Sequence, residues 1–213
     1  AISTLLTNGN FLTQDAKVDV FTDLPDKSNP LYESNARQLN VKTNLRGSRT
    51  FISWLQENND PRLDAYFAPG TTGHFGLWQG WFDAPTTVVA EQQPDVAILS
   101  PTQPVYFFSA DEVMFMIAEA NARYGSASEA QAYYEAGTNA ACERVGTDCS
   151  AMVAAGGIYE YPNGTLADNI KAIITQKWAS LVYRGYEAFW DHNRTGVPAI
   201  SSTPIIDPTN PPN

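Results

Sequence analysis

"SADEVMFMIAEANARYGSASEAQAYYEAGTNAACERVG", residues 109–146, decides the fold class of this chain. Ser109 and Glu112 have the S-x-x-E spacing of a capping box, and the six successive apolar residues Val113 to Ala118 predict a helix covered on nearly every side. Gly125 ends it. A second helix over about 128–145 places Ala130, Tyr133, Tyr134, Gly137, Ala141 and Arg144 at three- and four-residue steps, so its small residues permit close approach along one face. The pair is an antiparallel hairpin with the form and length of a tetratricopeptide unit. Only one such unit is evident, whereas about three are needed for a stable array.

Downstream, a third helix begins at Thr165, which with Asp168 forms a cap, and carries Ile170, Ile173, Ile174, Trp178, Leu181 and Val182 as its apolar stripe. Gly185 breaks or bends it, and a short fourth helix runs to the stop at Thr195-Gly196-Val197-Pro198. Upstream, "RGSRTFISWLQEN" puts Phe51, Trp54 and Leu55 at helical spacing behind Ser48 as N-cap, and Asp60-Pro61 ends the run. The chain 1–213 therefore reads as one mainly α region. It has loops with a short strand or two over 1–44, a short helix over 45–58 and a long loop region over 61–104. A helical part over 109–195 and a Pro-rich end over 199–213 complete it.

Composition narrows the function classes. Hydrophobic residues make up 43% and charged residues 17%, which is globular, and the formal net charge of −10 with no basic cluster argues against nucleic acid and anionic membranes as partners. No apolar run reaches the ~18 residues of a spanning helix and Ala1 opens no signal peptide, so the chain as written is expected to be soluble. Cys142 and Cys149 stand where one helix ends and another begins. Disulfide and free thiols both remain open. His74 and His192 lie far from the cysteines with no ligand spacing, so no zinc, other metal or cofactor is expected.

"KWASLVYRGYEAFWDHNRTGVP", residues 177–198, is the densest mixture of charge and aromatic rings. Glu187 and Asp191 form an i, i+4 carboxylate pair beside His192, which read as a site is the chemistry of glycoside hydrolysis. Carboxylates one turn apart share a surface instead of facing each other across a bond, and no G-x-S-x-G, H-E-x-x-H or P-loop occurs in the chain. The structural reading is preferred: Trp178, Tyr186, Phe189 and Trp190 form a packing stripe, and Arg184 and Arg194 bond carboxylates or helix-end carbonyls. Glu119, inside an apolar helix, is expected to be buried and paired with an arginine, since an unpaired buried carboxylate costs several kcal/mol.

A ligand is sought in "YFAPGTTGHFGLWQGWFDAP", residues 66–85, because a long ordered loop is usually functional. Tyr66, Phe75, Trp78 and Trp81 offer rings, and Gln79 and Asp83 offer hydroxyl partners. A sugar has an apolar face that lies flat on an aromatic ring and hydroxyls that need fixed polar groups. The competing reading makes these rings the loop's own small core, and His74 a hydrogen-bonded loop residue.

The ordered set "NPLYE" (29–33), "NNDPRLDAYFAPG" (58–70), "FGLWQG" (75–80), "PVYFFSADEVMFMIAEANARYG" (104–125), "AYYEAGTNAACERVG" (132–146) and "IITQKWASLVYRGYEAFWDHNRTGVP" (173–198) resembles the SusD/RagB outer-membrane nutrient-binding lipoproteins of Bacteroidetes. The resemblance implies a mainly α fold with helical hairpins of tetratricopeptide type and long irregular loops. It also implies a non-catalytic role in capturing glycans, or in some members peptides, for a TonB-dependent SusC-like transporter at the outer membrane. Family members are about twice this length, with a signal peptide and a lipid-bearing cysteine. The chain is therefore expected to be mainly the second half, with a missing N-terminal half of the same protein as a partner. Two other classes stay open beside glycan capture: a carbohydrate-active hydrolase using Glu187, Asp191 or Asp83, and a helical-repeat module that binds only protein.

Overall fold

The structure is a computed structural model and describes residues 1–39, 44–78 and 94–199. Internal contacts divide it into two compact units, one formed by Ala1–Lys17 with Tyr106–Ile200 and the other containing Val18–Val105.

The first unit is helical. Helix α1 (Ile2–Asn8) ends at Gly9, whose φ of 61° is a left-handed cap that glycine adopts without strain. The expectation of loops with a short strand or two over 1–44 is corrected at Ile2–Asn8 and Pro30–Gln38, which are helical, the Asn8-Gly9 pair serving as a helix terminus. Strand β1 (Ala16–Val18) pairs with β4 (Val105–Phe108). The hairpin follows as helices α5 (Ala110–Tyr124) and α6 (Ala127–Glu143). Gly137 brings them together: a Cβ there would lie 3.1 Å from the Phe115 ring. Ala130, Tyr134, Thr138 and Ala141 line the same buried face of α6. Helix α7 (Ser150–Val153) is short, and α8 (Leu166–Ser180) packs on α5 and α6 through Ile170, Ile173 and Ile174. Thr165 and Asp168 cap α8 reciprocally, as their spacing indicates. Helix α9 (Gly185–Thr195) begins at the expected glycine and closes on Gly196 in the left-handed region.

Three sequence expectations fail here. Ser109 does not cap α5 with its side chain. The Ala110 amide donates to Asp15 Oδ1 at 2.9 Å, while Glu112 bonds Arg184, because a charge-assisted bond outweighs a neutral capping one. Nor is α5 covered all round: Met116 is 46% exposed. The aromatic stripe of α9 is also absent, with Tyr186 82%, Phe189 55% and Trp190 65% exposed and only Asp191 of that helix buried. Helix α9 is held by charge, not by its rings.

In the second unit, Asn29 caps α2 (Pro30–Tyr32), its Oδ1 accepting from the Leu31 and Tyr32 amides, and the chain continues as a π-helix over Glu33–Gln38. Asn29-Pro30 is therefore a helix start, with proline at the first position where its missing N–H costs nothing. Ser48 caps α3 (Arg49–Glu57) as expected, and Phe51, Ile52 and Leu55 are its buried side. Helix α4 (Arg62–Tyr66) leads into β2 (Phe67–Ala68), which pairs antiparallel with β3 (Val96–Ala97), so the 61–104 region is not wholly loop.

Cys142 and Cys149 are disulfide-bonded, which closes the alternative left open by the sequence and ties the end of α6 to the start of α7. Closing a loop this short removes about 2.5 kcal/mol of unfolded-chain entropy. Reduction, or Cys142→Ala with Cys149→Ala, is expected to lower stability by about 2–3 kcal/mol and Tm by several degrees. Thermal unfolding followed by circular dichroism, with and without reductant, checks this.

Candidate functional site

The aromatic loop is built onto the start of α3. Residues 75–77 run extended between two partners: the Leu77 amide donates to the Gly47 carbonyl at 2.8 Å and its carbonyl accepts from Arg49 at 2.7 Å. On the other side Asp95 donates to the Phe75 carbonyl at 2.8 Å. Gly76 is required at the crossing, because a Cβ there would lie 2.7 Å from the Arg49 nitrogen and 2.5 Å from its Cα. That approach sets Phe75 and Trp78 against one cation: the Arg49 guanidinium stands 5.6 Å from the Phe75 centroid and 5.4 Å from that of Trp78. Both rings are half-buried.

Of the six residues picked out in the sequence, the fold brings Phe75 and Trp78 together around Arg49. Tyr66, expected among the ligand-facing rings, is 2% exposed and packs against Phe51 and Phe67 in the core of its unit. Gln79, Trp81 and Asp83 lie outside the described residues. Sequence reasoning missed Arg49, which stood inside a helix pattern with nothing to mark it.

The same unit contains two polar clusters, of which the one around His74 and Asp95 bonds the Phe75 amide. Asp60 and Arg62, both fully buried, form a two-bonded pair at 2.9 and 2.6 Å, with the Arg62 guanidinium 6.0 Å from the Trp54 ring. The sequence showed Asp60-Pro61 only as a stop signal. His74 lies between Asp95, bonded to Nδ1, and Asp64 Oδ1, 2.9 Å from Nε2. Partial burial pulls the imidazole pKa down, but the bonds to the two carboxylates outweigh it and hold it above its ordinary value.

In the 177–198 segment of the first unit the charged side chains pair with one another and with carboxylates of α5. Asp191 faces Lys177 at 2.9 Å and accepts from Arg194 at 2.7 and 2.9 Å, so it is committed to the ion network, while Glu187 is half-exposed near Arg184. Glu119 is buried as expected and accepts from Arg123 at 2.8 Å and twice from Arg194 at 2.5 Å. Burial raises the Glu119 pKa, but its bonds to Arg194 and Arg123 prevail and keep it below the usual carboxylate range. A pocket of about 380 Å³ opens beside these groups, lined also by Ile2, Met116 and Tyr124. Charges lining it are paired with one another: Arg194 gives four bonds to Glu119 and Asp191.

The family whose sequence pattern matches, described as starch-binding associating with outer membrane, covers residues 5–212. The chain belongs to the SusD-like family. Solved SusD homologues share its fold. That of Bacteroides vulgatus superposes with a TM-score of 0.73 at 21% identity, over 94% of this chain and 46% of that one. Those of Bacteroides uniformis (TM-score 0.72, 22% identity, 92% and 46%) and Bacteroides thetaiotaomicron (0.70, 21%, 93% and 46%) agree. This SusD-like chain spans about half the length of the solved structures it matches. No curated protein matches it. Among the described residues no helix is long and apolar enough to cross a membrane.

Two outcomes follow from this geometry. Gly76→Ala is expected to cost about 1–3 kcal/mol through the clash with Arg49, read as a lower urea midpoint. Glu119→Gln is expected to cost about 1–3 kcal/mol, moderated because Arg194 is 43% exposed and keeps Asp191. The Glu119 pKa is depressed in the fold, so its contribution is present above pH 4.5 and is lost as pH falls through the folded value. Urea unfolding at neutral and acid pH should show wild type and Glu119→Gln converging on acidification.

Proposed function

We propose that this chain is a non-catalytic glycan-binding part of an outer-membrane nutrient uptake complex, passing oligosaccharide to a TonB-dependent SusC-like transporter on the outer face of the cell. The observation that carries the reading is the platform of Phe75 and Trp78 around Arg49. Two rings accept the apolar face of a sugar, and a guanidinium carries N–H donors for its hydroxyls. The family's description as starch-binding makes a glucose polymer the first ligand to try. The disulfide is consistent with an oxidising compartment outside the cytoplasm. Engagement of Asp191 in ion pairs leaves the Glu187 and Asp191 pair poorly suited to hydrolysis.

Further chain of the same protein completes the molecule in this reading. The solved relatives are about twice as long, and the exposed Tyr186, Phe189 and Trp190 of α9 are a face of the kind that such chain covers.

Calorimetry with a panel of oligosaccharides, maltoheptaose first, and short peptides tests the proposal. Trp78→Ala is expected to weaken saccharide binding about tenfold or more while leaving the circular dichroism spectrum unchanged. Product release from any saccharide, or binding of peptides alone, would overturn it.

A further inference from the structure

We propose that His74 is the positioning residue of the aromatic loop: held as a cation between Asp95 and Asp64, it fixes Phe75 and Trp78 on Arg49, so that ligand capture weakens as pH rises. The part concerning capture rests on the glycan-binding reading above.

Nδ1 meets Asp95 and Nε2 meets Asp64, so both face carboxylate oxygens, which are acceptors only. A neutral imidazole has one N–H; its other nitrogen would turn a lone pair on a carboxylate. Only the imidazolium donates both ways. Asp95 makes this matter, because its side chain is fully buried and a buried carboxylate left without a counter-charge is strongly destabilising.

The same Asp95 grips the next residue. Its Oδ1 accepts from the Phe75 amide at 2.8 Å, its backbone amide donates to the Phe75 carbonyl, and its carbonyl accepts from Gly47. Any retreat of Asp95 from a neutral His74 therefore disturbs the strand-like pairing of 75–77 with 47–49, on which the rings ride. Charges facing His74 come from each neighbouring element among the described residues: Asp64 from α4 and Asp95 from the segment before β3. Helix α3 presents the neutral Gln56, whose Nε2 donates to the His74 carbonyl at 3.1 Å, and Arg49, whose charge lies against the two rings. With its pKa raised in the fold, His74 stabilises the loop fully below pH 6.5, and the contribution is lost as pH climbs through the folded value.

The chain contains two histidines, so proton NMR resolves both imidazoles and His192→Gln assigns them. Three quantities are followed against pH: the His74 titration, the hydrogen-exchange protection of the Phe75 and Leu77 amides, and maltoheptaose affinity. His74 is expected to titrate above 6.5, with loop protection and affinity falling together, affinity by about tenfold, the equivalent of one pH unit of linked proton binding. Asp64→Asn, at a position 84% exposed and so harmless to the core, should move all three to lower pH. His74→Gln should give weak binding without pH dependence. Protection that stays constant through the His74 titration, or a His74 that titrates at or below 6.5, overturns the positioning role. Protection that tracks His74 with no saccharide bound at any pH upholds the positioning and overturns the glycan-binding reading instead.

Discussion

Helix α5 carries three buried carboxylates, Asp111, Glu112 and Glu119, and their need for counter-charge organises the helical unit. Arg144, at the end of α6, reaches Asp111 at 3.0 Å and the Ser180 carbonyl of α8 at 2.9 Å. Lys177 of α8 stands between Glu112 and Asp191, and Arg184, at the start of α9, bonds Glu112. Arg194 joins Glu119 to Asp191. Cations in α8 and α9 or at the ends of α6 and α9 thus converge on the carboxylates of α5. A buried pair adds little net stability over an apolar contact but penalises every arrangement that breaks it, so the network selects one packing of α8 and α9.

That constraint accounts for the exposed rings of α9. A helix can turn one side inward, and Asp191 with its two cations occupies that side. Tyr186, Phe189 and Trp190 are left outward, where they form a surface instead of a core.

The second unit solves a different problem with the same chemistry. An aromatic loop has little regular structure to hold it, so single residues do so: Gly76 by having no side chain, Asp95 by gripping both flanks of the Phe75 peptide, and His74 by bridging two carboxylates. The buried Asp60 and Arg62 pair lies near Trp54 of α3.

Local signals in the chain determined the helices, because periodicity, caps and breakers act within a few residues: the hairpin of α5 and α6, the Thr165 and Ser48 caps, and the glycine start of α9 were all legible. So was the pairing of Glu119, since burial of a lone carboxylate is forbidden whatever the fold. Signals of the same kind misled where two outcomes share one residue pair, as when Asn8-Gly9 and Asn29-Pro30 mark helix ends instead of loop. Partner choice needed the tertiary structure. Glu112 abandons its cap for Arg184, Tyr66 goes inward while Phe75 and Trp78 gather on Arg49, and His74 finds carboxylates 10 and 21 residues away. Those contacts depend on distances across the fold that no local spacing encodes.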